Sequence, residues 1–185
     1  MKKVILAVTG ASGIIYGIRS LEELKKAGCN VYLIISENAK KIIKYETEYD
    51  LKKLVASVDE YFEENDMTSK LASGSFQYDY AVIAPCSMKT MGAIANGYTS
   101  NLITRMAMCT LKEERKLILV PRETPLDLIS LENMIKLKKS GAVILPAMPA
   151  FYHKPKQIDD VVNHIVGKIL DQLGIEHSLF KRWDC

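Results

Sequence analysis

The residues best suited to chemistry are small, hydroxyl-bearing or positively charged, and they stand just after short apolar runs of the chain. In chain order they are Gly10, Ala11, Ser12, Ser36, Ser87, Met88, Lys89, Thr90 and Arg122. Hydroxyl groups and backbone N–H groups at helix N-termini bind anions, and a guanidinium adds fixed positive charge. The set therefore predicts a site for a phosphate-bearing ligand, either a nucleotide or a flavin.

Each of these residues also has an ordinary structural explanation. A GASG turn can join a strand to a helix without any ligand, and Ser36 and Ser87 can be N-caps, which is the common role of serine at helix starts. Arg122 can form a surface ion pair. Their shared position after the apolar runs is what favours a binding site.

The apolar runs are typical of strands buried on both faces, since each holds five or six residues without polar alternation. They are VILAV (4–8), VYLII (31–35), YAVIAP (80–85), KLILVP (116–121) and AVILP (142–146). Helical spacing is predicted over 14–27, 37–57, 87–113 (two helices broken near Gly97), 127–139 and 158–173. The acidic stretch 59–66 is interpreted as a solvated helix end or loop. This alternation predicts a doubly wound parallel α/β sheet, with the binding residues along its carboxyl edge.

Composition limits the class of protein. The 185 residues are 48% hydrophobic and 25% charged, which is typical of one globular domain. Lys plus Arg exceeds Asp plus Glu by 25 to 22, and a net charge of +3 is too small to favour nucleic acid. No apolar run approaches 18 residues, so no membrane span is predicted. The four cysteines form no C-x-x-C pair, which favours a reducing, cytoplasmic setting.

A nicotinamide site is one alternative, because TGASGIIYG resembles the glycine-rich turn of short-chain dehydrogenases and Tyr152 with Lys156 forms Y-x-x-x-K. Pro155 interrupts that spacing, and a proline prevents the two side chains from sharing a helical face. The second apolar run also ends in Ser36 where such enzymes place an acidic residue for a ribose. We therefore rank this interpretation below the flavin site.

A metal or nucleophile site is a second alternative. His153, His164 and His177 show no ligand spacing, so no metal is predicted and each is interpreted as a surface or helix-flank residue. Cys86 stands beside the predicted site, but no histidine is near it in sequence. We interpret Cys86 as a small buried residue and not as a thiolate nucleophile.

Longer segments resemble the UbiX-like flavin prenyltransferase family, formerly described as aromatic-acid or polyprenyl-hydroxybenzoate decarboxylases, from residue 3 to about residue 183. They are PCSMKT (85–90), NGYTSNLITR (96–105), LKEER (111–115), LVPRETPL (119–126), LENM (131–134), GAVILPAMPAFYHKP (141–155) and DQLGI (171–175). The resemblance implies a single flavodoxin-like, Rossmann-type domain over 1–185, in three α/β/α layers, assembled as a homo-dodecamer with sites at subunit contacts. The implied activity moves a dimethylallyl group from dimethylallyl phosphate to N5 and C6 of reduced FMN, without metal. The product, prenylated FMN, would serve a UbiD-type decarboxylase.

The resemblance also implies roles for residues that match its motifs. The FMN contacts are Gly10, Ala11, Ser12, Ser36, Ser87, Met88, Lys89, Thr90 and Arg122, with Ser12 also near N5. The prenyl-phosphate contacts are Arg105, Lys112, Tyr152 and Lys168. The catalytic residues are Ser12, the acid/base carboxylates Glu46 and Glu123, and Trp183 in a tail (175–185) that covers the site.

Two positions weaken this transfer of roles. Many relatives carry Arg where Lys168 stands, and a lysine lacks the bidentate fork of arginine, so looser orientation of the phosphate is expected. From spacing alone, Glu46 in YETEYD is interpreted as a solvated helical glutamate.

The chief functional alternative is an FMN-binding redox or carrier flavoprotein that transfers no prenyl group. A flavin-dependent decarboxylase of peptidyl cysteine is a weaker one, since its catalytic histidine segment is not found.

Overall fold

The computed structural model describes residues 1–183 and contains one six-stranded parallel sheet, in the order β3-β2-β1-β4-β5-β6. Each neighbouring pair of strands runs parallel. The strands are β1 (Lys3–Val8), β2 (Asn30–Ile35), β3 (Glu60–Glu63), β4 (Tyr80–Cys86), β5 (Lys116–Pro121) and β6 (Val143–Ile144).

Helices cover both faces of this sheet. They are α1 (Ile14–Lys26), α2 (Glu37–Glu46), α3 (Leu51–Ala56), α4 (Met88–Ala95), α5 (Leu102–Lys112), α6 (Leu128–Lys139) and α7 (Ile158–Leu173), with a short 3-10 turn at Lys70–Ala72. Alternate residues of β1 enter two separate apolar cores. Leu6 packs on the face covered by α1 and α7, whereas Ile5 packs on the face covered by α4 and α5. The predicted three-layer, doubly wound fold is confirmed.

Three sequence predictions differ from the structure. The stretch 59–66 contains strand β3, an edge strand in which Phe62 is buried while Glu60 and Glu63 are exposed. Charged side chains are common on edge strands because they discourage pairing with another chain, and here they hid the strand pattern. The segment 37–57 is two helices interrupted at 47–50, since Asp50 caps a new helix. The last strand is only Val143–Ile144, not 142–146.

The order of the strands reverses between β1 and β4, and hydrogen bonds join the carboxyl ends of these two strands. The Thr9 hydroxyl donates to the Pro85 carbonyl over 2.8 Å, and the Ser87 amide donates to the Thr9 hydroxyl over 2.8 Å. In open α/β sheets, ligands bind in the crevice at such a reversal. Among the helices of residues 1–183, none is long and apolar enough to cross a membrane.

Candidate functional site

A cavity of about 330 Å³ lies at the carboxyl ends of β1, β2, β3 and β4. Its lining residues are Gly10, Ser36, Glu37, Asn38, Glu64, Ser87, Lys89 and Thr90. The structure thus brings together five of the residues that the sequence predicted for a phosphate-bearing ligand: Gly10, Ser36, Ser87, Lys89 and Thr90.

Two helices begin at this cavity, and each is capped by a predicted site serine. The Ser36 hydroxyl accepts a hydrogen bond from the Ala39 amide over 3.2 Å at the start of α2. The Ser87 hydroxyl accepts from the Thr90 amide over 3.3 Å at the start of α4 and donates to the Thr90 hydroxyl over 3.0 Å. The N-cap explanation is therefore correct for both serines, and it also brings the positive ends of two helix dipoles to one cavity.

Gly10 permits a close approach between the β1–α1 turn and the start of α2. A Cβ atom at position 10 would lie 2.6 Å from the Cβ of Asn38. Any other residue would push these two walls apart, because carbon atoms do not approach so closely. Small residues at such turns let the backbone itself contact a ligand. The turn therefore fits a flavin nucleotide that binds by backbone contacts and helix N-termini.

Glu46 and Arg122 hold the other end of the same turn. One carboxylate oxygen of Glu46 accepts from the Gly13 amide over 2.8 Å and from the Ile14 amide over 3.1 Å, at the N-terminus of α1. Glu46 is the last residue of α2 and its side chain is exposed, as the interpretation of a solvated helical residue predicts, but its carboxylate also binds the start of α1. Arg122 donates from Nε to the Ser12 carbonyl over 3.0 Å. Burial raises the pKa of the nearby Tyr16, and the positive charge of Arg122 partly opposes that rise.

Glu64 is a cavity residue that the sequence analysis missed. Its carboxylate accepts from the Glu37 amide over 2.7 Å and from the Asn101 side chain over 2.6 Å. Glu64 directly follows β3, so it stands after a strand like the predicted residues, but the strand itself was not recognised. A carboxylate at this position can accept hydrogen bonds from hydroxyl groups of a ligand. The helix starts and Lys89, by contrast, favour a phosphate.

The four predicted prenyl-phosphate residues fall into two groups on opposite faces of the sheet. Arg105 and Lys112 lie on α5, where Arg105 donates to the Ala72 carbonyl over 2.9 Å and Lys112 pairs with Glu113. Tyr152 and Lys168 lie on the other face, beside and on α7. One chain therefore does not gather these four side chains around a single phosphate.

The remaining predicted residues lie around the cavity edge and the tail. Ala11 is buried and Met88 packs against the apolar core beside α4. Glu123 is exposed and accepts a hydrogen bond from the Thr124 amide over 3.1 Å. Trp183 is 69% exposed and meets Tyr152 edge-on, with ring centroids 5.3 Å apart. Asp184 and Cys185, the end of the predicted lid, lie outside the described residues.

His153 and His177 are half-buried residues that flank α7, as predicted, whereas His164 lies within α7 and is buried. His164 is only 6% exposed, His153 stacks on it with centroids 5.2 Å apart, and the side chain of His177 is 4% exposed and bonded to Asp171. Sequence spacing missed this cluster because the C-terminal tail folds back over α7. In the described part of the chain, no group of three or more His, Cys, Asp or Glu residues could hold a metal ion.

Cys86 and the Y-x-x-x-K pattern are structural features. Cys86 is fully buried, and burial raises the pKa of its thiol to about 12, so a thiolate nucleophile is not available there. Tyr152 and Lys156 lie in the loop before α7 and share no helix. Both findings agree with the sequence interpretation.

Comparison with known proteins decides the family. The model of the Flavoprotein family matches residues 1–170. A flavin prenyltransferase UbiX of Methanocaldococcus jannaschii is 54% identical over 181 residues, which cover 98% of each chain. The chain belongs to the UbiX-like flavin prenyltransferase family. The predicted resemblance is thereby confirmed.

Solved structures of UbiX-like proteins share the whole fold. AnUbiX (PadA1), crystallised with FMN and dimethylallyl pyrophosphate, is 41% identical with a TM-score of 0.97, covering 100% of this chain and 98% of its own. A dodecameric FMN-dependent UbiX-like decarboxylase from Escherichia coli O157:H7 is 42% identical with a TM-score of 0.96, covering 99% and 100%. Each alignment thus covers at least 98% of both chains.

Proposed function

We propose that this UbiX-like protein transfers a dimethylallyl group from dimethylallyl phosphate to N5 and C6 of reduced FMN. The observation that carries the proposal is the cavity at the β1/β4 reversal, in which Gly10 and two capped helix starts form a cradle for a flavin nucleotide. Full-length identity to flavin prenyltransferases supports the same reaction. It favours prenyl transfer over the decarboxylation of peptidyl cysteine.

The residues proposed to hold FMN are those around the cavity and the adjoining turn: Gly10, Ala11, Ser12, Ser36, Ser87, Met88, Lys89, Thr90 and Arg122. The positive ends of α2 and α4 would bind the phosphate, with Lys89 adding a positive charge. The bound flavin supplies the nucleophilic ring that is alkylated. Arg122 holds the Ser12 backbone, and so fixes where the Ser12 hydroxyl meets the flavin.

The second substrate would be bound by residues from two copies of the chain. Arg105 and Lys112 from one copy and Tyr152 and Lys168 from another would surround the phosphate, because a single chain separates these pairs. Three positive charges and a phenol hydroxyl stabilise the negative charge that develops on the departing phosphate. We therefore propose a homo-oligomer, and the dodecameric relative favours twelve copies.

Loss of phosphate leaves an allylic cation that water would quench, so the site must exclude water. The face of Trp183 would stabilise such a cation by about 0.5–2 kcal/mol. Ring closure then requires a base within reach of the proton on C6. Glu123 is exposed and is the proposed base. Glu46 is the second candidate for the base, and it would act from the N-terminus of α1, where it already binds two amides.

The product would pass to a second enzyme. Prenylated FMN made here would serve a UbiD-type decarboxylase, and we place both proteins in the cytoplasm. Residues 1–185 would form one flavoprotein domain, whose tail from residue 175 covers the site.

The direct test is anaerobic incubation of the protein with reduced FMN and dimethylallyl phosphate, followed by mass spectrometry of the extracted flavin. We expect the flavin to gain one prenyl unit. A flavin that stays bound at unchanged mass, with either the monophosphate or the diphosphate as donor, would instead establish the alternative of a redox or carrier flavoprotein.

A further inference from the structure

A cluster of stacked rings joins the C-terminal tail to α7, and none of the steps above uses it. We call His153, His164, His177 and Phe180 the histidine cluster. His153 and His164 stack with planes 4° apart, and Phe180 lies 4.8 Å from His164 and 5.2 Å from His177 between ring centroids. Tyr152 meets His164 edge-on at 5.8 Å and Trp183 at 5.3 Å. The contacts therefore run without a break from α7 to the two proposed substrate-facing rings.

Two hydrogen bonds in the cluster require neutral imidazoles. The Ala150 amide donates to Nδ1 of His164 over 3.4 Å, which ties the loop 146–157 to α7. The Leu179 amide donates to Nδ1 of His177 over 3.2 Å, which ties the tail to itself. A protonated Nδ1 carries a hydrogen and cannot accept. Protonation would therefore break both bonds.

The surroundings of His164 disfavour a proton on its ring. Burial, His153 and Lys168 lower the pKa of His164, and Asp171 only partly opposes them. Both ring nitrogens of His153 are buried and have no hydrogen-bond partner among residues 1–183. The charged groups that face the cluster are Lys154 and Lys156 on the loop, Asp160, Lys168 and Asp171 on α7, and Lys181 and Arg182 on the tail. Asp171 pairs with His177, but at His164 burial and the charge of Lys168 outweigh it, so an added positive charge is disfavoured there.

Gly167 shows how closely the tail is seated on α7. A Cβ atom at position 167 would overlap the Phe180 ring and lie 2.6 Å from Cε1 of His177. The tail therefore has no space to shift while it stays docked. Any added volume at this point should displace it.

We propose that His153, His164 and His177 are positioning residues whose rings dock the tail and hold Trp183 against Tyr152, and that the docked arrangement needs a neutral His164. The inference rests on the proposed function, because it assigns Tyr152 to the prenyl phosphate and Trp183 to the allylic cation. Protonation of His164 breaks its bond to the Ala150 amide, releases the tail and uncouples these two rings. The prenyl-donor half of the site is thus competent only while His164 is neutral.

The direction of the pH dependence follows from the lowered pKa of His164. A released, solvated histidine titrates near its ordinary value of about 6.5, whereas the docked one holds its proton less tightly. The released form therefore binds more protons as the pH falls below that value. The docked tail is fully favoured above about pH 6.5 and is progressively lost below it.

The test uses Trp183, which is the only tryptophan in the sequence. Fluorescence anisotropy of the full-length protein should fall as the pH is lowered from about 8 to about 5.5, as the tail becomes mobile. His164→Phe keeps a ring in the stack and removes the titrating group, so its anisotropy should stay high throughout. Gly167→Ala alters no charge and should give the low, released anisotropy at every pH.

Kinetics separate positioning from a general loss of stability. In the wild type, KM for dimethylallyl phosphate should rise at least about threefold between pH 8 and pH 5.5, with FMN affinity unchanged, and His164→Phe should flatten that rise. Constant anisotropy in the wild type, or an unchanged titration in His164→Phe, would overturn the inference. If the protein transfers no prenyl group, the proposed function fails, but the anisotropy arm still tests the histidine cluster.

Discussion

At the scale of single residues, the site depends on contacts between side chains and the backbone of one turn. Glu46 binds two amides at the start of α1, Arg122 binds the Ser12 carbonyl, and Gly10 leaves space for Asn38. These contacts shape the β1–α1 turn before any ligand binds. A turn that is held in place by its own contacts needs little rearrangement when a ligand binds, so the turn itself can be tested by substitution.

Removal of the Glu46 carboxylate should loosen this turn. Glu46→Ala leaves two amides of α1 without their acceptor, and loss of such a cap costs about 1 kcal/mol of unfolding free energy. Urea denaturation followed by circular dichroism measures it. Glu48→Ala, two residues away and also exposed, is the control and should unfold like the wild type. Equal midpoints for both variants would show that the Glu46 contacts contribute nothing.

Gly10→Ala should weaken FMN binding without unfolding the protein. The added Cβ would lie 2.6 Å from Asn38 and push α2 away from the turn, so the cavity loses its shape. We expect the Kd for FMN, measured by fluorescence quenching, to rise by at least about tenfold. Gly92→Ala is the matched control, because its Cβ would meet only the Asn133 side chain at 3.4 Å. Wild-type affinity in Gly10→Ala would mean that FMN binds elsewhere.

At the scale of elements, the helices and strands were predictable where burial is complete on both faces. The first four apolar runs are strands, and the breaks near Gly97 and at Gly174 are observed where the sequence indicates them. Strand β3 was missed because only Phe62 is buried in it, so charged neighbours dominate its pattern. Because β3 was not recognised from the sequence, Glu64 was not recognised as a cavity residue either. Glu64 faces the cavity because it directly follows this strand. The ring contacts of the tail could not be predicted, because contacts between separate segments of the chain leave no periodic pattern in the sequence.

The contact between α1 and β4 offers a stability test at this scale. In Gly17→Ala, the added Cβ would overlap the Ala84 carbonyl oxygen and crowd Val8, so the helix must move off the sheet. Overpacking of this kind costs about 1–3 kcal/mol, more than the gain in helix propensity. Gly92→Ala also lies within a helix, but its Cβ would meet only the end of the Asn133 side chain, so it should be neutral or stabilising. If both variants raise the thermal midpoint, α1 and β4 are not in close contact.

At the scale of the whole molecule, the two halves of the proposed prenyl-phosphate site face opposite sides of the sheet. If these residues bind the phosphate as proposed, a second copy must complete the site, and assembly becomes part of the proposed chemistry. The sequence resemblance named the four residues but local patterns could not show that they are separated. Their separation follows from the doubly wound topology, in which α5 and α7 cover different faces.

Mixing of two inactive variants tests this shared site. Arg105→Ala and Lys168→Ala should each lose prenyl transfer, because each removes one half of the phosphate pocket. If subunits are dissociated, mixed in equal amounts and reassembled, about a quarter of the sites regain one intact half from each copy, and activity recovers accordingly. A mixture as inactive as its components would place both residues in one subunit's own site.

The central claim is that the carboxyl edge between β1 and β4 holds the flavin. A crystal structure of the protein soaked with FMN tests it most directly. We predict the phosphate at the capped starts of α2 and α4, within hydrogen-bonding distance of Ser36 or Ser87 and their following amides. Flavin density in the separate cavity of about 560 Å³ between α1 and residues 48–57, with the β1/β4 edge empty, would contradict the account.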